Sequence, residues 1–151
     1  MSSINLKVVN QASFEAKIKR QSKEIERNII ATVNRATNEV RNIAVTSILR
    51  NPRAGGEVKR YNPTRTVRVS KEGDAPASDT GFLASNISAK ISGDRLEGEV
   101  ISNADYSEAL EFGTFKMGAR PFMQPAAEEV RKKYRLDSIN AIKKGLKWKL
   151  L

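Results

Sequence analysis

YSEALEFGTFKMGARPFMQPAA, residues 106 to 127, gathers aromatic residues, glycines and two of the five prolines into one stretch of a highly charged chain. Tyr106, Ala109, Leu110 and Gly113 recur at spacings of three and four, which predicts a short helical turn with its apolar side pinned down. Gly113, lacking a Cβ, takes a positive φ at little cost and is the expected bend. Gly118 then loosens the loop, and Pro121 biases Arg120 towards an extended backbone. Pro125 is suited to the start of a further helix, where its missing N–H costs nothing. The product is a rigid loop between two helices, carrying Phe112, Phe115, Met117, Phe122 and Met123.

Upstream of this loop, Ile87, Ala89 and Ile91 alternate, Ser92-Gly93-Asp94 form a turn, and Leu96, Gly98 and Val100 alternate in return, the pattern of a β-hairpin. Phe82 and Leu83 are expected to anchor its start in the core. Thr64 to Ser70 reads as a half-buried strand with Val67 and Val69 inward and Arg68 outward. That strand is expected to join the hairpin in one small, mostly antiparallel sheet. Asn51 to Tyr61, with Pro52, Gly55 and Gly56, reads as a loop, as does Lys71 to Thr80. From Ser13, a candidate N-cap, to Arg50 there is neither Gly nor Pro. Ile25, Ile29, Val33, Ala36, Val40, Ile43 and Ser47 trace one stripe, so the segment is a single amphipathic helix of roughly 55 Å. A coiled coil is the other use of such a stripe, disfavoured by Ala36 and Ser47. Ile4 to Val9 reads as a short edge strand. After Pro125 the chain is helical again, with a break at Leu136-Asp137-Ser138.

The fold class is therefore α+β, one domain over 1–151, with a long N-terminal amphipathic helix packed on a small, mostly antiparallel sheet and a C-terminal helix. Its parts are the long helix (13–50), a basic loop region with one strand (51–80), the hairpin (82–102), the aromatic loop (103–123) and the C-terminal helical segment (125–149). With 151 residues, 39% hydrophobic and 29% charged, the chain can build a modest core. Some apolar surface is thus left for neighbouring subunits to complete. No apolar run is long enough for a membrane span, and MSSINLKVVNQ lacks the pattern of a signal peptide, so a soluble chain made inside the cell is expected.

The chain has no Cys and no His, which excludes disulfides and thiolate sites and removes the commonest general base and transition-metal ligand. Glu108 and Glu111 share a helix face, a spacing that usually marks a solvated surface. Asp105 reads as a cap and Ser78-Asp79-Thr80 as turn chemistry. Gly55-Gly56 lacks the Lys-Ser or Lys-Thr of a phosphate cradle. No catalytic, cofactor or metal site is expected.

Charge is the other strong signal. Lys and Arg number 27 against 17 Asp and Glu, a formal +10. Between Arg50 and Lys71 the basic residues are Arg50, Arg53, Lys59, Arg60, Arg65, Arg68 and Lys71, with Glu57 the one acid. A second basic run lies beyond Pro125. Such fields attract polyanions in a salt-dependent way.

Together, GDAPASDTGFLASNI, YSEALEFGT and KMGARPFMQPA, in that order over about residues 72 to 130, resemble the head-tail joining, neck or tail-completion proteins of lambdoid-type, long-tailed bacteriophages, with an EFGT…ARPF…PA signature. The resemblance implies a non-enzymatic virion protein. It would form a homo-oligomeric ring at the neck between capsid and tail, after assembly in the host cytoplasm, and meet connector or head-closure proteins and tail proteins. Tyr106, Phe112, Gly113, Thr114, Phe115, Arg120, Pro121, Phe122 and Met123 are then the expected subunit or partner interface, since aromatic, Met and Arg residues dominate interface cores. A locally folded loop is the competing reading for Phe112 and Phe122. DNA must cross the ring, so Arg53, Lys59, Arg60, Arg65 and Arg68 are the expected DNA-facing residues. The alternative is an independent basic protein that binds nucleic acid without sequence specificity.

Overall fold

Gln11–Leu49, 39 residues without glycine or proline, form helix α1, about 58 Å long at 1.5 Å per residue. The computed structural model describes residues 11–146; the expected strand at Ile4 to Val9 and the last residues of the basic C-terminal run lie outside them. After α1 come β1 (Glu57–Tyr61), β2 (Thr64–Arg68), the short helix α2 (Phe82–Ser85), β3 (Ile87–Ile91), β4 (Gly98–Ser102), α3 (Ser107–Phe112) and α4 (Met123–Leu146). The fold class is α+β, as the sequence implies. Ser13 lies inside α1 rather than capping it.

The strands make two separate antiparallel hairpins, β1–β2 and β3–β4, and not one sheet. Glu57 to Tyr61, expected to be loop, pairs residue by residue with Thr64 to Arg68, from Glu57↔Arg68 to Tyr61↔Thr64. Both strands are exposed on almost every residue, so neither face carries the alternation that burial would impose. The second hairpin runs from Ile87↔Ser102 to Ile91↔Gly98, leaving Leu96 in a loop longer than the expected turn. That loop is organised by polar groups. The Ser92 hydroxyl accepts the Glu97 N–H and the Asp94 carboxylate accepts the Leu96 N–H, each at 3.0 Å. The Ser92 hydroxyl and the Leu96 amide hold the Asp94 carboxyl below its ordinary range.

The core lies where α1 crosses α2, β3 and the start of α4. Ala44, Ile48, Leu83, Ala84, Ile87, Ala104, Phe122 and Ala126 form one buried cluster. On α1 the deepest positions are Ala44 and Ile48, one residue on from Ile43 and Ser47 of the expected stripe. Val33, Thr37, Ala44 and Ile48 are buried together at spacings of four, seven and four, so beyond Val33 the inward face is the one next to the expected stripe. Phe82, expected to anchor the hairpin with Leu83, is half exposed, while Leu83 is buried.

α4 runs antiparallel to α1. Asn28 Nδ2 donates to the Ala141 carbonyl at 3.3 Å, Gln21 Nε2 to that of Leu146 at 2.7 Å, and Lys133 Nζ meets Glu39 at 2.7 Å. The expected break at Leu136-Asp137-Ser138 is absent and α4 is continuous. Both polar residues find partners within the helical geometry. Asp137 pairs with Arg35 at 3.6 Å and Ser138 Oγ donates to the Tyr134 carbonyl at 2.8 Å. The inward face here is small, Ala141 and Gly145, while Ile139, Ile142 and Leu146 stay exposed. A Cβ on Gly145 would stand 2.4 Å from Ile25 Cγ1 and 3.0 Å from Ile25 backbone atoms. Gly145→Leu should therefore force the helices apart and cost about 1–3 kcal/mol in a denaturant titration, despite its better helix propensity. An increase in stability would contradict the close approach. The Lys133 ammonium is pushed up from its ordinary 10.5, first by its hydrogen bond to Glu39. A raised folded value means that this pair stabilises fully below pH 10.5 and is lost as pH climbs through the folded value.

Candidate interaction surface

The loop after α3 is held at every step. Gly113 ends the helix at φ 76° and ψ 179°, and a Cβ there would lie 2.8 Å from the Ala119 nitrogen and the Met117 carbonyl oxygen. Glycine is required on both counts. Thr114 and Met117 then exchange backbone hydrogen bonds of 2.8 and 3.1 Å, closing a four-residue turn. Phe115 stands at its tip, 93% exposed, with Lys116 Nζ 5.0 Å from the ring centroid. The chain returns to the body through Gly118 N–H to Glu72 (3.3 Å), Gly73 N–H to the Ala119 carbonyl (2.8 Å) and Arg120 N–H to the Leu110 carbonyl (2.6 Å). Arg120 anchors it further, its guanidinium donating to the Ser70 and Gly118 carbonyls.

Where the loop becomes α4, Glu111 supplies a cap from another element. Its carboxylate accepts the N–H groups of Phe122 (2.9 Å), Met123 (3.0 Å) and Gln124 (2.7 Å). These are orphan donors of a helix N-terminus, whose dipole also favours a negative charge. The pair Glu108 and Glu111, expected on a solvated face, thus divides: Glu108 is exposed and Glu111 is structural. Tyr106 holds the N-cap position of α3 with no side-chain capping bond, so Asp105 is not the expected cap.

The nine expected interface residues separate in the same way. Tyr106, Phe112, Thr114 and Phe115 are exposed; Gly113, Arg120, Pro121 and Met123 are partly buried. Phe122 is 2% exposed and belongs to the core, so this chain's own packing accounts for it rather than a partner's.

The expected DNA-facing residues cluster around the β1–β2 hairpin, whose tip is the cis Asn62-Pro63 bond. Arg60 and Arg65, opposite each other in register, share the Asp79 carboxylate at 3.8 and 2.8 Å. Arg68 pairs with Glu57 across the strands at 3.4 Å, and the Arg53 guanidinium donates to the Ser78 carbonyl. Lys59 makes no ion pair among the described residues. Beneath the hairpin is a cleft of about 630 Å³ where Arg60, Arg65 and Asp79 meet Tyr106, Met117 and Arg120 of the aromatic loop. Two groups read separately in the sequence therefore share one surface. Burial pushes the Tyr106 phenol up, and the Arg60 guanidinium pulls it back. Phe82 packs beside it, with ring centroids 6.3 Å apart.

Asp79 and Glu111 are the residues that sequence reasoning missed. Each acts on partners far along the chain, and no local spacing betrays that. Since the hairpin has little apolar contact with the body, Asp79→Asn should loosen it. Exposed ion pairs are worth about 0.2–1 kcal/mol each, so tryptic cleavage at Lys59, Arg60 and Arg65 should quicken on the order of two- to fivefold. Unchanged cleavage would assign the hairpin's position to its backbone.

Among the described residues no helix is long and apolar enough to cross a membrane, and no group of three or more acidic residues is placed to hold a metal ion. A family model described as "Bacteriophage HK97-gp10, putative tail-component" matches residues 12–113. The match spans α1, both hairpins and α3, and ends at Gly113, before the ARPF and PA motifs. No curated protein and no solved structure matches the chain.

Proposed function

Because this chain belongs to the HK97-gp10-like family of bacteriophage tail components, we propose that it is a non-enzymatic ring subunit of the virion, seated at the joint between capsid and tail. The observation that carries this reading is the displayed aromatic loop. Phe112 is 73% and Phe115 93% exposed, on a segment otherwise fixed by backbone hydrogen bonds and the Glu111 cap. Apolar side chains held rigidly in water lose little entropy on docking, which favours an interface over a flexible loop. Phe112, Thr114, Phe115 and Tyr106 make the subunit or partner contacts in this reading, while Gly113, Arg120 and Pro121 set the loop's shape. Ring closure uses unlike surfaces of successive copies.

The β1–β2 hairpin is the element we assign to the DNA channel, through Arg53, Lys59, Arg60, Arg65 and Arg68. Arg60, Arg65 and Arg68 already share carboxylates, which suits sliding contact better than tight binding. Duplex DNA titrated at two salt concentrations should bind the isolated chain loosely, with a steep salt dependence. Tight, sequence-blind binding would favour an independent nucleic-acid-binding protein.

The joining role is tested by deleting the gene from the phage genome that carries it and viewing the lysate by electron microscopy. DNA-filled heads beside separate, finished tails are expected. Intact virions would overturn the reading.

A further inference from the structure

On the far side of α3 from the Asp79 cleft, α1, β4 and α4 enclose an open apolar groove of about 790 Å³. Val40, Val100 and Ala127 line it, with Leu96 and Phe112 at its rim, 47% and 73% exposed. Uncovered apolar surface of this kind marks an interaction site. Three charged residues line the groove: Glu111 is taken up by the α4 cap, Arg131 is exposed on α4, and Glu108 is exposed on α3 and makes no ion pair among the described residues. The same chain displays a matching part. The Thr114–Met117 turn holds out Phe115 with Lys116 beside its ring, and Lys116 also has no ion-pair partner among the described residues. Phe115 does not line the groove of its own chain.

We propose that the Phe115 knob of one copy docks in this groove of another, with Lys116 of the knob meeting Glu108 at the rim. The proposal rests on the ring reading above and names the contact that would build it. Apolar insertion supplies affinity, and the single charge pair fixes orientation. The turn's backbone pair preorganises the knob, and the groove is preformed by core elements, so neither half need rearrange.

Absence of cysteine in the chain makes the contact directly testable. Lys116→Cys and Glu108→Cys variants are mixed and oxidised, with Lys116→Cys plus Lys23→Cys as control, Lys23 being exposed on α1. The Lys116→Cys and Glu108→Cys pair should form its disulfide at least about tenfold faster, since docking raises the local thiol concentration from micromolar to roughly millimolar. Adding Phe115→Ala to the Lys116→Cys chain should abolish that advantage. In parallel, an amine-reactive cross-linker on the unmodified chain reports self-association through any surface. Cross-linked oligomers without the thiol advantage would overturn the knob-and-groove contact and leave the ring standing. Absence of both would overturn the contact and the ring together.

Discussion

Phe122→Ala is expected to cost about 3–5 kcal/mol of folding stability, the range for emptying an aromatic site in a packed core. Phe122 is 2% exposed and lies in the cluster with Ile48, Ile87 and Ala126, where the loop enters α4. The change removes the apolar contact of the ring and leaves a cavity that helices on either side can only partly close. For a domain whose whole stability is on the order of 5–15 kcal/mol, that is a large share. A denaturant titration of the variant beside Phe115→Ala separates core from display. Phe115→Ala should stay within about 0.5 kcal/mol of the parent, as expected of a surface change. A loss below about 1 kcal/mol for Phe122→Ala, under the usual range for core aromatics, would return that ring to the interface.

Glu111→Ala is the second large effect. One carboxylate serves three N–H groups at the start of α4, and alanine leaves all three to water or to nothing. Loss of an N-cap costs about 0.5–2 kcal/mol, and hydrogen bonds to a charged group are worth about 1.5–3 kcal/mol. These overlap rather than add, so a loss of roughly 2–3 kcal/mol is expected. Glu111→Gln keeps an acceptor but loses the charge that suits the helix dipole, and should fall between. Equal stability of Glu111→Ala and the parent would show that solvent caps α4 as well. Because Glu111 lies in α3 and its partners open α4, the same variant should raise hydrogen exchange at Met123 and Gln124. Exchange elsewhere in α4 should follow only global unfolding.

Burial of a bulky apolar face makes an element legible in the sequence, and of the exposed β1–β2 pair only β2, with its alternating valines, is read as a strand. α1 announces itself by its apolar stripe and its freedom from glycine and proline. β3 and β4 alternate because one side rests on α1. Gly113 is readable as a bend because few other residues tolerate that backbone. By contrast β1 is exposed along its length, and nothing in EVKRY distinguishes a strand from a loop. The continuity of α4 is hidden because its inward residues are Ala141 and Gly145, so the bulkier Ile139, Ile142 and Leu146 point to the wrong face. Phe115 and Phe122 have the same chemistry seven residues apart, and only the Glu111 cap and the turn at Thr114 decide which one is buried. Asp79 reads as a turn residue until the hairpin folds back over it and brings two arginines to its carboxylate.

The most direct test is to find the chain in the virion. Particles carrying it with a small epitope tag, bound with gold-labelled antibody, should show gold at the junction of head and tail, one cluster per particle. Gold along the tail shaft, at the tail tip or absent from purified virions would contradict a joining ring.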